Sequence, residues 1–135
     1  MTAEIPVGFE QGSAEPFTKQ KEDEFLSALG DRSSRQILLT LDSSPKPVHD
    51  LVRALDLPQS TVYHKLHELQ RIGLVAVQSV TITPDGKRVE LFRSLLESVK
   101  LEMLGGKLNV RVRYRNLTAE RLGRMWEAMR REVKR

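Results

Sequence analysis

Cysteine is absent from the 135 residues. Disulfide staples and thiolate metal sites are excluded, while the redox compartment stays open. Histidine is scarce, with only His49, His64 and His67 present. A zinc pair from His64 and His67, at i and i+3, lacks the further ligands such a site needs, so no metal or cofactor is expected. No apolar run approaches the ~20 residues that cross a bilayer. Residues 1–21 have neither the basic start nor the hydrophobic centre of a secretory leader. The expectation is a soluble, cytoplasmic chain with no membrane partner. A Gly-rich phosphate loop, a nucleophile–base spacing and a ligand array are also missing. No catalytic residue is therefore expected, and the chain does not read as an enzyme.

What is present suits one ordinary domain with a modest core, since 39% of the residues are hydrophobic. The net charge of +4 is mild but unevenly spread. Residues 1–30 hold six acids against two lysines, and residues 107–135 hold ten basic groups against three acids. Clustered positive charge attracts polyphosphate and speeds its association. A basic solvated face with no partner is the plain alternative.

Residues 2–20 are rich in Gly, Pro, Ser, Glu and Gln without periodicity and read as a flexible tail. A first helix is expected over residues 22–29, burying Phe25, Leu26 and Leu29. Gly30 and Asp31 turn the chain into a second helix over 33–41. Ile37, Leu38 and Leu41 are its apolar positions, and Arg32 and Arg35 stay exposed near its start. Pro45 and Pro47 bracket a break, and Pro47 suits the first turn of a third helix reaching Leu55. Val48, Leu51, Val52 and Leu55 form its stripe. Residues 56–58 are too few for anything except a turn between packed helices.

The next segment is the most informative one. Val62, Leu66 and Leu69 share one side of a 3.6-residue period and face a core. Gln59, Ser60, Thr61, Tyr63, His64 and His67 fall on the other side, the first five near the helix start. In a helix-turn-helix protein that end enters the major groove, where free backbone N–H groups also favour phosphate. Gly73 stops the helix in a left-handed position. An ordinary amphipathic helix with a glycine stop is the competing interpretation. Together with the two helices before it, this one makes a tri-helical helix-turn-helix core.

The period then changes to two. Residues 74–82 are rich in Val and Ile, Thr83-Pro84-Asp85-Gly86 makes a turn, and residues 87–94 return as a second strand. This hairpin reads as a wing, with Lys87 and Arg88 at its tip within reach of phosphate or the minor groove. A second hairpin folds about Gly105-Gly106, a loop that favours primed turns. It opposes Met103 to Leu108, Leu101 to Val110 and Val99 to Val112, which puts the apolar side chains on one face. Lys100 opposes Arg111 on the cationic face. Thr118 then reads as an N-cap, with Leu117 and Leu122 at staple spacing. Leu122, Met125, Trp126, Met129 and Val133 line one side of a last helix. That stripe either closes over its own hairpin or pairs with a second copy, and dimerisation is the expectation adopted.

As a set, these stretches resemble the arsenic-repressor-like superfamily of winged helix-turn-helix regulators, in the form common among archaea. The resemblance rests on residues 25–31, 35–41 and 48–57, and on 60–66 running through Gly73-Leu74-Val75, within a cover of about 22–95. It implies a homodimer, operator binding, a bacterial or archaeal source, and base reading from Ser60, Thr61, Tyr63 and His64. Members that sense metals use cysteines or clustered ligands that this chain does not have.

The fold class expected is α+β: a winged helix-turn-helix with a C-terminal β-hairpin and a dimerisation helix. Residues 1–20 are the tail, 21–96 the DNA-binding domain and 97–135 the hairpin-and-helix extension. The leading function is sequence-specific binding of double-stranded DNA by a nucleoid-associated transcription regulator. Gln59, Ser60, Thr61, Tyr63 and His64 are the base-reading candidates, and Arg32, Arg35, Lys65, Lys87 and Arg88 the phosphate or wing contacts. Leu122, Met125, Trp126, Met129 and Val133 are the dimerisation candidates. A non-specific architectural DNA binder and a protein-interaction winged helix remain the alternatives.

Overall fold

The computed structural model describes residues 4–6 and 19–115. They form β1 (Glu4–Pro6), α1 (Lys19–Gly30), α2 (Arg32–Ser43), α3 (Val48–Leu55), α4 (Gln59–Arg71), β2 (Val75–Ile82), β3 (Arg88–Ser94), β4 (Leu96–Leu104) and β5 (Lys107–Tyr114). The helix expected over 118–133, with its five dimerisation candidates, lies outside the described residues. Among those described, no helix is long and apolar enough to cross a membrane.

Each helix boundary has a local cause. Asp31 caps α2, its carboxylate accepting from the Ser34 backbone N–H and hydroxyl, both at 2.9 Å. Pro45 and Pro47 flank Lys46, and a residue before proline is held extended. Lys46 uses that conformation to pair with Phe92 of β3 through two backbone hydrogen bonds of 2.9 and 2.8 Å. Its ammonium turns back to the end of α2, donating to the Thr40 carbonyl at 3.2 Å and the Ser44 hydroxyl at 2.8 Å. Pro47 is the N-cap of α3 and not a residue of its first turn. Asp56 ends α3 in the left-handed region at φ 52°, a conformation Asp adopts more readily than most residues. Gly73, at φ 82°, closes α4 with paired bonds from Gly73 N–H to the Gln70 carbonyl and Leu74 N–H to the Leu69 carbonyl. That pairing is a Schellman stop.

The fold is α+β, a winged helix-turn-helix followed by a second hairpin. β2 and β3 form the two-stranded wing, in register from Val75↔Ser94 to Ile82↔Arg88 with a bulge at Gln78. β4 and β5 pair as expected, with Val99↔Val112, Lys100↔Arg111, Leu101↔Val110 and Met103↔Leu108. Gly105 and Gly106 both have positive φ, as a primed two-residue turn requires. Leu95 joins the sheets: its N–H donates to Leu74 and its carbonyl accepts from Arg115, each at 2.9 Å.

Three features depart from the sequence expectation. Residues Glu4–Pro6, within the stretch read as a flexible tail, form an antiparallel edge strand on β5. Pro6 is tolerated there because an edge strand has one side free of ladder bonds. The apolar face of the second hairpin is covered only at its base. Val110 and Val112 are buried, whereas Leu101 and Met103 of that face are exposed, as is Leu104 on the opposite face. The core itself crosses the expected 96/97 boundary, for Leu96, Val110 and Val112 join Phe25, Ile37, Leu66 and Leu74 in one cluster.

Candidate nucleic-acid interface

The surface of interest is built from the buried side of α4 outward. Val62, Leu66 and Leu69 are fully buried, anchoring α4 in the core shared with Ile37, Leu41 and Leu51. With that side fixed, helical geometry leaves Gln59, Ser60, Tyr63, His64 and His67 exposed. Thr61 is half-buried, because it adjoins the core face. Tyr63 and His67 meet edge to face at 6.5 Å between ring centres, which ties two exposed rings together one helical turn apart. Pro58 is the N-cap and provides no side-chain hydrogen bond. The first backbone N–H groups of α4 are thus uncapped beside Gln59 and Ser60.

Of the basic candidates, Arg32, Arg35, Lys87 and Arg88 are exposed and Lys65 is half-buried. Lys65 sits on Asp31 at 3.1 Å, bringing α4 against the N-terminus of α2 and placing Lys65 near Arg32. Periodicity left Lys65 on the surface and gave no sign of this partner. The signal was local: Asp31 with Ser34 three residues on is a capping pattern that fixes a carboxylate there. Arg35 donates from Nη1 to the Leu29 carbonyl at 2.8 Å, at the end of α1. Arg71, at the far end of α4, bridges Glu68 at 2.8 Å and Glu24 of α1 at 3.0 Å.

The wing turn organises its own backbone. Thr83 N–H donates to Lys87 at 2.9 Å, Gly86 N–H to Thr83 at 2.9 Å, and Lys87 N–H to the Thr83 hydroxyl at 3.1 Å. The Thr83 hydroxyl also donates to the Asp85 carboxylate. Lys87 and Arg88 are left exposed at the tip.

Residues 29–78 match the family model described as a helix-turn-helix domain. Over those residues the chain is similar to a helix-turn-helix domain. The match runs from the end of α1 through α4 to the bulge of β2, so the wing tip and second hairpin lie beyond it. Over 50 residues the chain is 44% identical to "HTH-type transcriptional regulator NmtR" of Mycobacterium tuberculosis (strain ATCC 25618 / H37Rv). That stretch spans 37% of this chain and 42% of that regulator. HlyU from Vibrio cholerae N16961 is similar at 21% identity and a TM-score of 0.38, covering 82% of this chain and 90% of that one. The mycobacterial regulator is bacterial, so its match does not single out an archaeal branch. Among the described residues no three His, Asp or Glu side chains are grouped to hold a metal ion.

Electrostatics within the helix-turn-helix domain give a stability prediction. Hydrogen bonds from the Ser34 N–H and hydroxyl, with Lys65 beside them, hold the Asp31 carboxyl below its ordinary range. Arg71 does the same for Glu68. A carboxylate whose folded pKa is depressed contributes stability above its unfolded pKa, and that contribution fades as pH falls through the folded value. Asp31→Ala should cost about 0.5–2 kcal/mol at neutral pH. Melting temperatures of the two proteins should converge over the interval from the ordinary aspartate range downward, as pH falls through the depressed folded value and the wild-type cap itself becomes protonated. A gap that stays constant over that interval would show that the Asp31 charge plays no part.

Proposed function

We propose that this chain is a transcription regulator of the arsenic-repressor-like kind that binds double-stranded DNA in a sequence-specific manner as a homodimer. The observation that carries the proposal is the orientation of α4. Its apolar side is locked in the core, and its uncapped, polar N-terminal half projects into solvent. Helix-turn-helix proteins insert that part of the second helix into the major groove. Gln59, Ser60, Thr61, Tyr63 and His64 are the proposed base readers, with half-buried Thr61 the most restricted of them. Arg32, Arg35, Lys65, Lys87 and Arg88 are the proposed backbone contacts, Lys65 sharing its charge with Asp31. Two copies are proposed because one α4 covers one half-site, and a symmetric pair reads two.

Base reading is tested with His64→Ala and Thr61→Ala, each measured by fluorescence anisotropy on a selected duplex and a scrambled one. Discrimination between the duplexes should fall while melting temperature and non-specific affinity hold. A good base contact is worth about 1–3 kcal/mol of discrimination, and a single hydroxyl or imidazole contact belongs at the lower end. Equal affinity for both duplexes in the wild type would instead establish a non-specific architectural binder. Absence of binding to any duplex would favour a protein-interaction module.

A further inference from the structure

The sheet ordered β1-β5-β4 ends on β4, whose outer edge carries no further strand among the described residues. The base of β4 borders a groove shared with α2, whereas residues 100–104 are exposed without exception. The backbone of that exposed stretch is directed outward. Leu104 and Lys107 flank the two-residue loop and form its closing hydrogen-bonded pair. Alternation along an antiparallel ladder then turns the N–H and C=O groups of Met103, Leu101 and Val99 away from β5. A bare edge of this kind is a template for another strand.

The side chains restrict which strand fits. Leu101 and Met103, 56% and 83% exposed, share a face with Val99, and Lys100 and Glu102 lie on the other. A second β4 laid antiparallel across a two-fold axis must continue the apolar face, so odd positions oppose odd ones. Centring the pair on Lys100 sets lysine against lysine, and centring it on Glu102 sets glutamate against glutamate. Centring on Met103 or beyond carries Leu101 past the strand end at Leu104. Centred on Leu101, the strands oppose Leu101 to Leu101, Val99 to Met103, and Lys100 to Glu102 on both sides of the axis. Opposite charges in direct opposition stabilise a ladder and like charges weaken it. The outer edge of β5 has no such match, since Lys107 and Arg111 are basic, Asn109 is neutral and no acid lies between them.

We propose that two copies of this chain join through their β4 strands, antiparallel and centred on Leu101, into one continuous sheet. This rests on the homodimer of the preceding section and names the surface that builds it. The contact is isologous and uses the same edge on both copies, so it closes at two. Leu101 and Met103, left bare in one copy, each gain an apolar cross-strand neighbour in the pair.

Charge reversal tests the register in the full-length protein without DNA, so that duplex binding does not enter. The wild type should sediment as a dimer at micromolar concentration. Lys100→Glu and Glu102→Lys each turn both Lys–Glu oppositions into like-charge ones, and each should raise the dimer dissociation constant by about tenfold. Mixed in equal amounts, the two variants should pair with each other, because each supplies the charge its partner needs. The chain carrying both reversals should likewise regain wild-type affinity, and these recoveries show that the variants fold. A wild-type dimer that neither single reversal weakens overturns the β4 interface and leaves the homodimer standing on another surface. Weakening in both single variants without recovery in the mixture overturns the Leu101-centred register. A wild-type monomer overturns the interface and the homodimer together and leaves the edge to a strand of another kind, while DNA binding is read separately by anisotropy.

Discussion

Leu66→Ala is expected to cost about 2–5 kcal/mol of folding stability. Leu66 is fully buried on α4 between Val62 and Leu69, in contact with the core that holds Ile37, Leu41 and Leu51. Truncation strips apolar packing from that core and leaves a cavity that three packed helices close only in part. A domain of this kind has about 5–15 kcal/mol in total, so the loss is a large share. His64, two residues earlier, is exposed, and His64→Ala should leave stability within about 0.5 kcal/mol of the wild type. Urea unfolding of both variants separates the two faces of one helix. Comparable stability for Leu66→Ala and His64→Ala would mean that the buried and exposed sides of α4 have been exchanged.

That contrast shows which parts of the fold were legible in the residues. Alternation and period specify faces, so Val62, Leu66 and Leu69 were found together. The β4–β5 register came out pair by pair because Gly105-Gly106 limits the loop while the alternation forbids a slip of one. Neither signal reports distance. Alternation placed Leu101 and Met103 on the same face as Val110 and Val112, but the extent of the core depends on what lies across from them. β1 was hidden for a related reason. Glu4–Pro6 is three residues long, contains a proline, and becomes a strand only through its non-local partner β5. The Lys46–Phe92 bridge has the same origin, since the two prolines set an extended conformation without naming a partner.

The candidate site divides in the same way. Exposure of Gln59, Ser60, Tyr63 and His64 followed from helical geometry, because the core side was unmistakable. The half-burial of Thr61 lies at the boundary of that face, where a period of 3.6 gives no sharp edge. Ion-pair partners were less accessible. Lys65 meets Asp31 through the packing of α4 on the start of α2, and Arg115 reaches Asp42 across 73 residues of sequence. Long basic side chains choose among several acids only once the helices and strands are placed.

At the wing, replacing Lys87 and Arg88 together with glutamine should weaken binding by a similar factor on every duplex and flatten its salt dependence. Both residues are exposed at the tip, beyond a turn whose backbone is held by Thr83, so the substitutions leave the hairpin in place. Removing one phosphate contact should lower the slope of log affinity against log salt by about 0.9, because fewer counterions are released. The comparison is a salt titration of wild type and double variant on the selected and scrambled duplexes. Parallel weakening with a shallower slope assigns the tip to the DNA backbone. If the slope holds while preference between the duplexes collapses, Lys87 and Arg88 read the minor groove or its shape, and sequence choice extends beyond α4 to the wing.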